Sequence, residues 1–168
     1  RYRAQIRSAA MAALSILEGK EIDRVYCDLH DDFVVRKVNN SSYKYLFYQV
    51  KTNGKQNHNW TLNEVFGLKS TLKDQSKQET EKIKDSFIGK LLLHTVVFEA
   101  CCDAIIFQTN INNDDDVAAL LYDITSGTFS NKFTKILLER FNALFPDPIP
   151  TALKLHEVKG YLSKLEFQ

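Results

Sequence analysis

The chain has 168 residues, a length that fits one domain built around a single hydrophobic core. Hydrophobic residues make up 44% and charged residues 26%, which excludes a mainly disordered chain. The formal net charge of +1 excludes a strong overall positive field, so any binding of nucleic acid requires a local patch.

The first predicted element is an amphipathic helix, because apolar residues from Tyr2 to Leu17 recur at helical spacing and Gly19 follows as a stop signal. Three strand patterns come next, at 23–29, 32–38 and 43–51. The sequence therefore predicts a helix that packs on an antiparallel run of strands.

The remaining elements alternate between helical and strand patterns. A short helix and a solvated, lysine-rich helical stretch are predicted within 60–90. Residues 91–102 are apolar enough for a buried helix or a strand, whereas 103–110 read as an inner strand. Asp114 to Asp116 are predicted to cap a helix rather than to bind metal, because an apolar helical run begins directly after them. Two further helices are predicted, at 131–145 and 151–166.

Cysteine usage and hydropathy indicate the compartment. Cys27, Cys101 and Cys102 lie in apolar runs without metal-ligand spacing, and we interpret them as reduced core residues. No signal peptide opens the chain, and no apolar run is long enough to span a membrane. A cytoplasmic protein without a membrane segment is expected.

The third predicted strand ends in YLFYQVK, and its last residues are the first candidates for chemistry. Gln49 and Lys51 project from the same side of a strand. If the preceding NNSS forms a loop that pairs Val38 with Tyr43, Asp32 lies opposite Gln49 and its carboxylate faces the pair. A register slip of one residue would turn Asp32 away. The alternative is an ordinary strand with polar ends. In the catalytic interpretation, Lys51 at the end of a strand is expected to contribute little to packing.

These residue types suit phosphodiester hydrolysis. The Asp32 carboxylate, the Gln49 amide oxygen and the Val50 backbone carbonyl together offer the hard oxygen ligands that Mg²⁺ accepts. Lys51 supplies a positive charge that can orient a water molecule and stabilise negative charge on the phosphate.

The run DLHDDFVV…YLFYQVKTN resembles the Asp…(Glu/Gln)-x-Lys signature of the restriction-endonuclease-like, or PD-(D/E)xK, nucleases. Four features in order resemble more closely the nuclease domain of bacterial antiphage (CBASS-type) effectors. They are the leading helix, the DDFVV strand, QVKTN followed by WTL, and a strand ending in FQTN. This resemblance spans about residues 2–110 and implies an α/β fold, with a restriction-endonuclease-like mixed β-sheet flanked by α-helices.

The resemblance also implies roles for individual residues. Asp32 would bind metal, Gln49 would be the second residue on the metal side, and Lys51 would be the catalytic lysine. Gln49 replaces the usual acid and so removes one negative charge, which Asp28 or Asp31 could supply. Gln5, on the first helix, matches a position near the site.

The DNA contacts are predicted in the segment that follows the catalytic strand. Residues 51–90 carry eight lysines against five acidic residues, and phosphate neutralisation supplies most non-specific affinity for DNA. Lys55, His58 and Lys69 are the predicted contacts. Trp60 is predicted to be a packing residue rather than a platform for base stacking.

The function implied by the resemblance is that of an Mg²⁺-dependent endonuclease, with Mn²⁺ as an alternative cation. It would cut double-stranded DNA with low sequence specificity as the effector domain of an antiphage defence system. A homo-oligomer on activation and a fused cyclic-oligonucleotide sensor domain or an ATPase partner are expected.

Residues 1–168 would form one nuclease domain of a longer protein, with a catalytic core over about 2–110 and a helical part over about 111–168. The alternative is a catalytically silent module for oligomerisation or DNA binding that assembles with such a partner.

Overall fold

A computed structural model describes residues 2–19, 21–39, 42–54, 57–149 and 151–168. Within these residues the chain forms a five-stranded sheet whose strands lie side by side in chain order. The strands are β1 (Ile22–Cys27), β2 (Phe33–Asn39), β3 (Ser42–Lys51), β4 (Cys102–Thr109) and β5 (Leu165–Phe167). The first three are antiparallel neighbours, whereas β3, β4 and β5 are parallel. The predicted restriction-endonuclease-like α/β architecture with a mixed sheet is confirmed.

Helices cover both faces of the sheet. They are α1 (Tyr2–Leu17), α2 (Leu62–Phe66), α3 (Thr80–Asp85), α4 (Phe87–Phe98), α5 (Asp115–Thr125), α6 (Lys132–Leu144) and α7 (Leu155–Leu162). On one face, Ala9 of α1 is buried in a small core with Phe33 and Val50. The other helices contribute to the larger core on the opposite face, which includes Phe47 and Phe107. The central strands β3 and β4 are therefore covered on both faces.

The hairpin formed by β2 and β3 has the predicted register. Val38 pairs with Tyr43, and the ladder continues in step to Phe33 and Tyr48. It also includes Asn39 with Ser42, one pair more than predicted, and the turn residues 40–41 lie outside the described residues. This register places the first residues of β2 beside the carboxyl-terminal half of β3.

Side-chain caps explain several helix boundaries. The Asp114 carboxylate accepts a hydrogen bond from the Val117 N–H at 2.8 Å, which confirms the predicted capping role at the start of α5. Thr61 and Glu64 form a capping box at the start of α2, and Gly67 ends that helix with a φ of 67°.

The prediction of a helix through residue 166 is wrong at its end. The helix α7 ends at Leu162, and β5 follows and pairs with β4 in parallel. The apolar spacing of this segment fits a helix locally, but the free edge of β4 offers backbone hydrogen bonds that a continued helix would leave unmade. The aromatic ring of Phe167 then packs on Phe107, with the ring centroids 5.1 Å apart.

The cysteines only partly match their predicted burial. Cys102 is buried, and burial raises the pKa of its thiol to about 11. Cys27 and Cys101 are exposed, so the prediction that all three are core residues is wrong. None of the helices in the described ranges has both the length and the apolar character needed to cross a bilayer.

Gly89 allows α4 to begin close to the end of α3. A Cβ at this position would overlap the backbone carbonyl oxygens of Ile83 and Lys84. We expect Gly89→Ala to lower the free energy of unfolding by about 1–3 kcal/mol, because overlap with backbone atoms cannot relax easily. Urea unfolding measures this change.

The matched control is Gly160→Ala, at an exposed helical position where a Cβ would meet nothing within 4 Å. This variant should gain about 0.5–1 kcal/mol from helix propensity. A gain of stability in both variants would contradict the close packing of α4 on α3.

Candidate active site

Asp32 caps the end of the β2–β3 ladder rather than pairing across it. Its Oδ2 atom accepts the backbone N–H of Val50 at 2.6 Å, and its Oδ1 atom accepts from Gln5 Nε2 at 2.6 Å. These two donors come from the central strand and from α1. The Asp32 carboxylate is therefore held in one orientation just before β2 begins, beside the last residues of β3.

Lys51 is buried beside this carboxylate. Its side chain packs over the ring of Phe87 on α4, with Nζ 5.1 Å from the ring centroid. Lys51 Nζ also lies 3.5 Å from Asp32 Oδ2, and the residue is only 6% exposed. The expectation that a lysine at a strand end contributes little to packing is therefore wrong. A buried ammonium needs compensation by an opposite charge, and Asp32 provides it.

Asp31, and not Asp32, is the carboxylate that contacts the Gln49 side chain. Asp31 Oδ1 lies 3.4 Å from Gln49 Nε2, and Asp31 Oδ2 lies 3.3 Å from Nε2 of His94 on α4. The ring of His94 is fixed in turn by stacking on Phe47, with the centroids 4.3 Å apart. The two consecutive aspartates thus reach opposite layers of the fold, Asp31 the α4 layer and Asp32 the α1 layer.

The contact with Asp31 orients the Gln49 amide. A carboxylate only accepts hydrogen bonds, so it selects the NH₂ group of Gln49 and leaves the amide oxygen for another ligand. Gln49 Oε1 is buried and has no hydrogen-bond partner among the residues that the structure describes. A buried oxygen without a hydrogen-bond partner lowers the free energy of unfolding by about 1–3 kcal/mol. A functional role is one common reason why a protein retains such an unpaired oxygen.

The Val50 carbonyl shares the edge of β3 on which Asp32 lies. The N–H and C=O of one strand residue point to the same edge, and the Val50 N–H points to Asp32. One carboxylate, one unpaired amide oxygen and one backbone carbonyl together fit a hard divalent cation. Among the described residues, no three His, Cys, Asp or Glu side chains gather closely enough to hold a metal ion. The predicted ligand set needs only one such side chain, so it is compatible with that finding.

Asp28 lies on the α1 side of the site. It shares a small pocket of about 100 Å³ with Gln5 and Asp32, and its backbone N–H donates to the Asp32 carbonyl at 3.3 Å. Its φ of 54° is left-handed, a conformation that aspartate tolerates better than most residues. No contact with Gln49 or Lys51 is observed for Asp28 in the described part of the chain, so Asp31 is the better placed second acid.

The sequence matches the family model described as Cap4, dsDNA endonuclease domain, over residues 1–114. The chain belongs to this family. No curated protein and no solved structure matches it.

Membership of the Cap4 dsDNA endonuclease domain family identifies a DNA-cleaving domain of antiphage defence. The matched residues include α1, the loop with both aspartates, the end of β3, and α4 with His94. The unmatched residues 115–168 include β5, which completes the sheet beside β4.

Two of the predicted DNA contacts of this Cap4-type domain, His58 and Lys69, lie beside glutamate side chains. His58 Nε2 lies 3.2 Å from Glu64 Oε1. Burial alone would raise the pKa of Glu64. The hydrogen bonds from Thr61 and the contact with His58 lower this pKa by more, so it lies below its usual value. Lys69 Nζ lies 3.2 Å from Glu79 Oε1, an acid that it shares with Lys82. Lys55 lies outside the described residues.

Trp60 supports the edge of the site by packing, as predicted. It is buried, and its indole N–H donates to Thr109 Oγ1 at 2.6 Å. Thr109 pairs with Lys51 in the parallel register of β3 and β4. Just beyond these strands, Asn53 N donates to Asn110 Oδ1 at 3.0 Å. The carboxyl ends of the two strands are thereby held together.

Sequence reasoning missed two contributors from α4, His94 and Phe87. His94 contacts Asp31, which is 63 residues away in the sequence, and Phe87 contacts Lys51. Both contacts arise only through the packing of α4 on the sheet. The one signal was a histidine within the otherwise apolar LLLHTVV run, where a polar ring requires a partner.

Proposed function

We propose that this domain is a metal-dependent endonuclease that hydrolyses phosphodiester bonds of double-stranded DNA with low sequence specificity. The observation that carries the proposal is the ion pair between the buried Lys51 at the end of β3 and the half-buried Asp32, where Nζ lies 3.5 Å from Oδ2. The family supports DNA as the substrate. The metal dependence and the low specificity are inferences from the chemistry of the site.

Asp32, Gln49 and the Val50 carbonyl would hold Mg²⁺, or Mn²⁺ in its place. When bound, the cation would act as a Lewis acid that neutralises developing charge on the phosphate. Lys51 would orient the attacking water and stabilise the negative charge that builds up on the phosphate oxygens. Its burial strengthens this interaction, because electrostatic forces are less screened away from water.

The hydrogen bonds around the site keep these groups in place before substrate arrives. Gln5 and the Val50 N–H fix the Asp32 carboxylate, and Asp31 fixes the Gln49 amide. Fixed dipoles and charges need no reorganisation during the reaction, which is the main source of electrostatic catalysis. Asp31 would also restore the negative charge that Gln49 lacks.

We propose further that residues 1–168 act as a single domain, since β5 pairs with β4 of the matched region. Cleavage of both strands would require two such sites, so assembly into a homo-oligomer is part of the proposal. A fused sensor domain or an ATPase partner stays a prediction, as does the cytoplasmic location.

Asp32→Asn tests the metal dependence. We expect it to abolish Mg²⁺ binding in calorimetry and to lower plasmid cleavage by at least about 10²-fold. The amide oxygen of asparagine can still accept the Val50 N–H. Because the buried Lys51 loses its opposite charge, thermal unfolding must first show that the variant is folded before a loss of cleavage is assigned to the metal site.

The control is Asp103→Asn, which removes an exposed carboxylate paired with Lys37 at 3.0 Å. It should leave both measurements unchanged. Cleavage by the wild type that persists in EDTA, or that survives Asp32→Asn, would contradict a metal site at Asp32.

A further inference from the structure

A cleft of about 420 Å³ lies between α1 and the carboxyl ends of β3 and β4. Arg3 and Arg7 line it on the helix side, and Thr52 and Asn110 line it beyond the strand ends. Its described lining contains no Asp or Glu. The cleft is therefore a positively charged site with neutral polar walls.

The two arginines are available to a ligand. Both are exposed, and neither forms an ion pair or a side-chain hydrogen bond with any residue in the described ranges. Residues four apart in a helix lie on the same side, so the two guanidinium groups face the same volume. Like charges at this spacing repel each other, which an anionic ligand would relieve.

The cleft adjoins the candidate active site. Val50 lines it, and the N–H of the same residue donates to Asp32. Gln5, which lies between the two arginines in α1, also donates to Asp32. One helix therefore both orients the catalytic carboxylate and carries the positive charge of the cleft.

We propose that this cleft binds backbone phosphates of the DNA strand that is cut, next to the scissile phosphodiester. The assignment rests on the proposed nuclease function for the identity of its ligand. A guanidinium group matches a phosphate through two parallel hydrogen bonds, which fixes position as well as adding affinity. Phosphate contacts carry no direct sequence information, in agreement with a nuclease of low specificity.

The arginines also differ from the lysine and histidine contacts that the sequence indicated. Lys69 and His58 already lie beside Glu79 and Glu64. A cation that is paired with a carboxylate must give up that partner before it can neutralise a phosphate. Arg3 and Arg7 have no carboxylate partner among the described residues, so they can bind a phosphate without breaking an ion pair to any of those residues.

The test is the salt dependence of binding to a fluorescent DNA duplex, measured by anisotropy in EDTA so that no metal-dependent cleavage occurs. The variant is Arg3→Gln with Arg7→Gln. We expect the slope of log affinity against log salt to become shallower by about 1.8, at about 0.9 for each phosphate that the protein no longer neutralises. The charge-matched control is Arg24→Gln with Lys135→Gln, which removes two exposed cations outside the cleft.

A shallower slope in the cleft variant alone supports the assignment. An unchanged slope, an equal change in the control, or a wild type that does not bind the duplex would overturn it. Plasmid cleavage in Mg²⁺ is scored separately. A wild type fused to a dimerising coiled coil that binds the duplex without cutting would overturn the proposed function, and the slopes would still decide the role of the cleft.

Discussion

Lys51→Met should lower the single-turnover rate of DNA cleavage by about 10²–10³-fold, the usual effect of removing one group that stabilises transition-state charge. Methionine keeps the length and most of the volume of the side chain, so packing over Phe87 should persist. Binding of DNA in EDTA should change by less than about twofold, because the buried ammonium lies beside Asp32 rather than on the surface.

The stability of this variant is a separate readout. Without Lys51, Asp32 keeps its hydrogen bonds from Gln5 and Val50 but loses a nearby positive charge. We expect a loss of about 1–3 kcal/mol in the free energy of unfolding. Lys37→Met is the matched control, because Lys37 forms an exposed ion pair on the neighbouring strand β2. Equal cleavage by the wild type and by a folded Lys51→Met variant would exclude a catalytic role.

Asp31→Asn should raise the Mg²⁺ concentration needed for half-maximal cleavage by more than about tenfold, because a negative charge close to the cation is lost. Gln49→Glu alone should destabilise the fold at neutral pH. It would place a second carboxylate about where Gln49 Nε2 now lies, 3.4 Å from Asp31 Oδ1. Two carboxylates at such a distance cannot both ionise without a large cost.

The double variant, Asp31→Asn with Gln49→Glu, exchanges the acid and the amide. It keeps the net charge of the pair and allows the asparagine NH₂ group to donate to the glutamate. We therefore expect it to recover both the stability and the Mg²⁺ dependence of the wild type to within a few-fold. Cleavage in Mg²⁺ titrations and thermal unfolding measure the two effects. If the losses of the single variants simply add, Asp31 and Gln49 do not act as a pair.

The exchange would also explain why glutamine occupies position 49, the proposed second residue on the metal side. With Asp31 buried against it, position 49 requires a hydrogen-bond donor on one side and an oxygen on the other. Glutamine supplies both. The charge that the substitution removes from position 49 is present at position 31 instead.

The hairpin of β2 and β3 could be predicted because its signals are local. Alternation in the two strands and the short turn between them favour one register, and the structure has the predicted pairing of Val38 with Tyr43. The role of Asp114 as a helix cap follows from its neighbours alone. Such features depend on residues a few positions apart.

The features that escaped prediction depend on tertiary contacts. A continued β2 would point Asp32 to the face of Gln49 and Asp31 to the face of α1, but the ladder ends at Phe33 and the loop before it reverses the two side chains. The contact of His94 with Asp31 depends on how α4 packs. The strand β5 forms because β4 has a free edge, and no pattern within residues 165–167 indicates this.

The most direct test of the nuclease assignment is cleavage of supercoiled plasmid in Mg²⁺ over a wide range of protein concentration. The chain should be measured alone and fused to a dimerising coiled coil, which removes any need for an activating partner. We predict nicking that becomes double-strand cleavage as concentration rises, and that is absent in EDTA and in Lys51→Met. Intact plasmid at every concentration, from a folded and dimerised protein that binds DNA, would contradict the nuclease assignment and favour a module that binds without cutting.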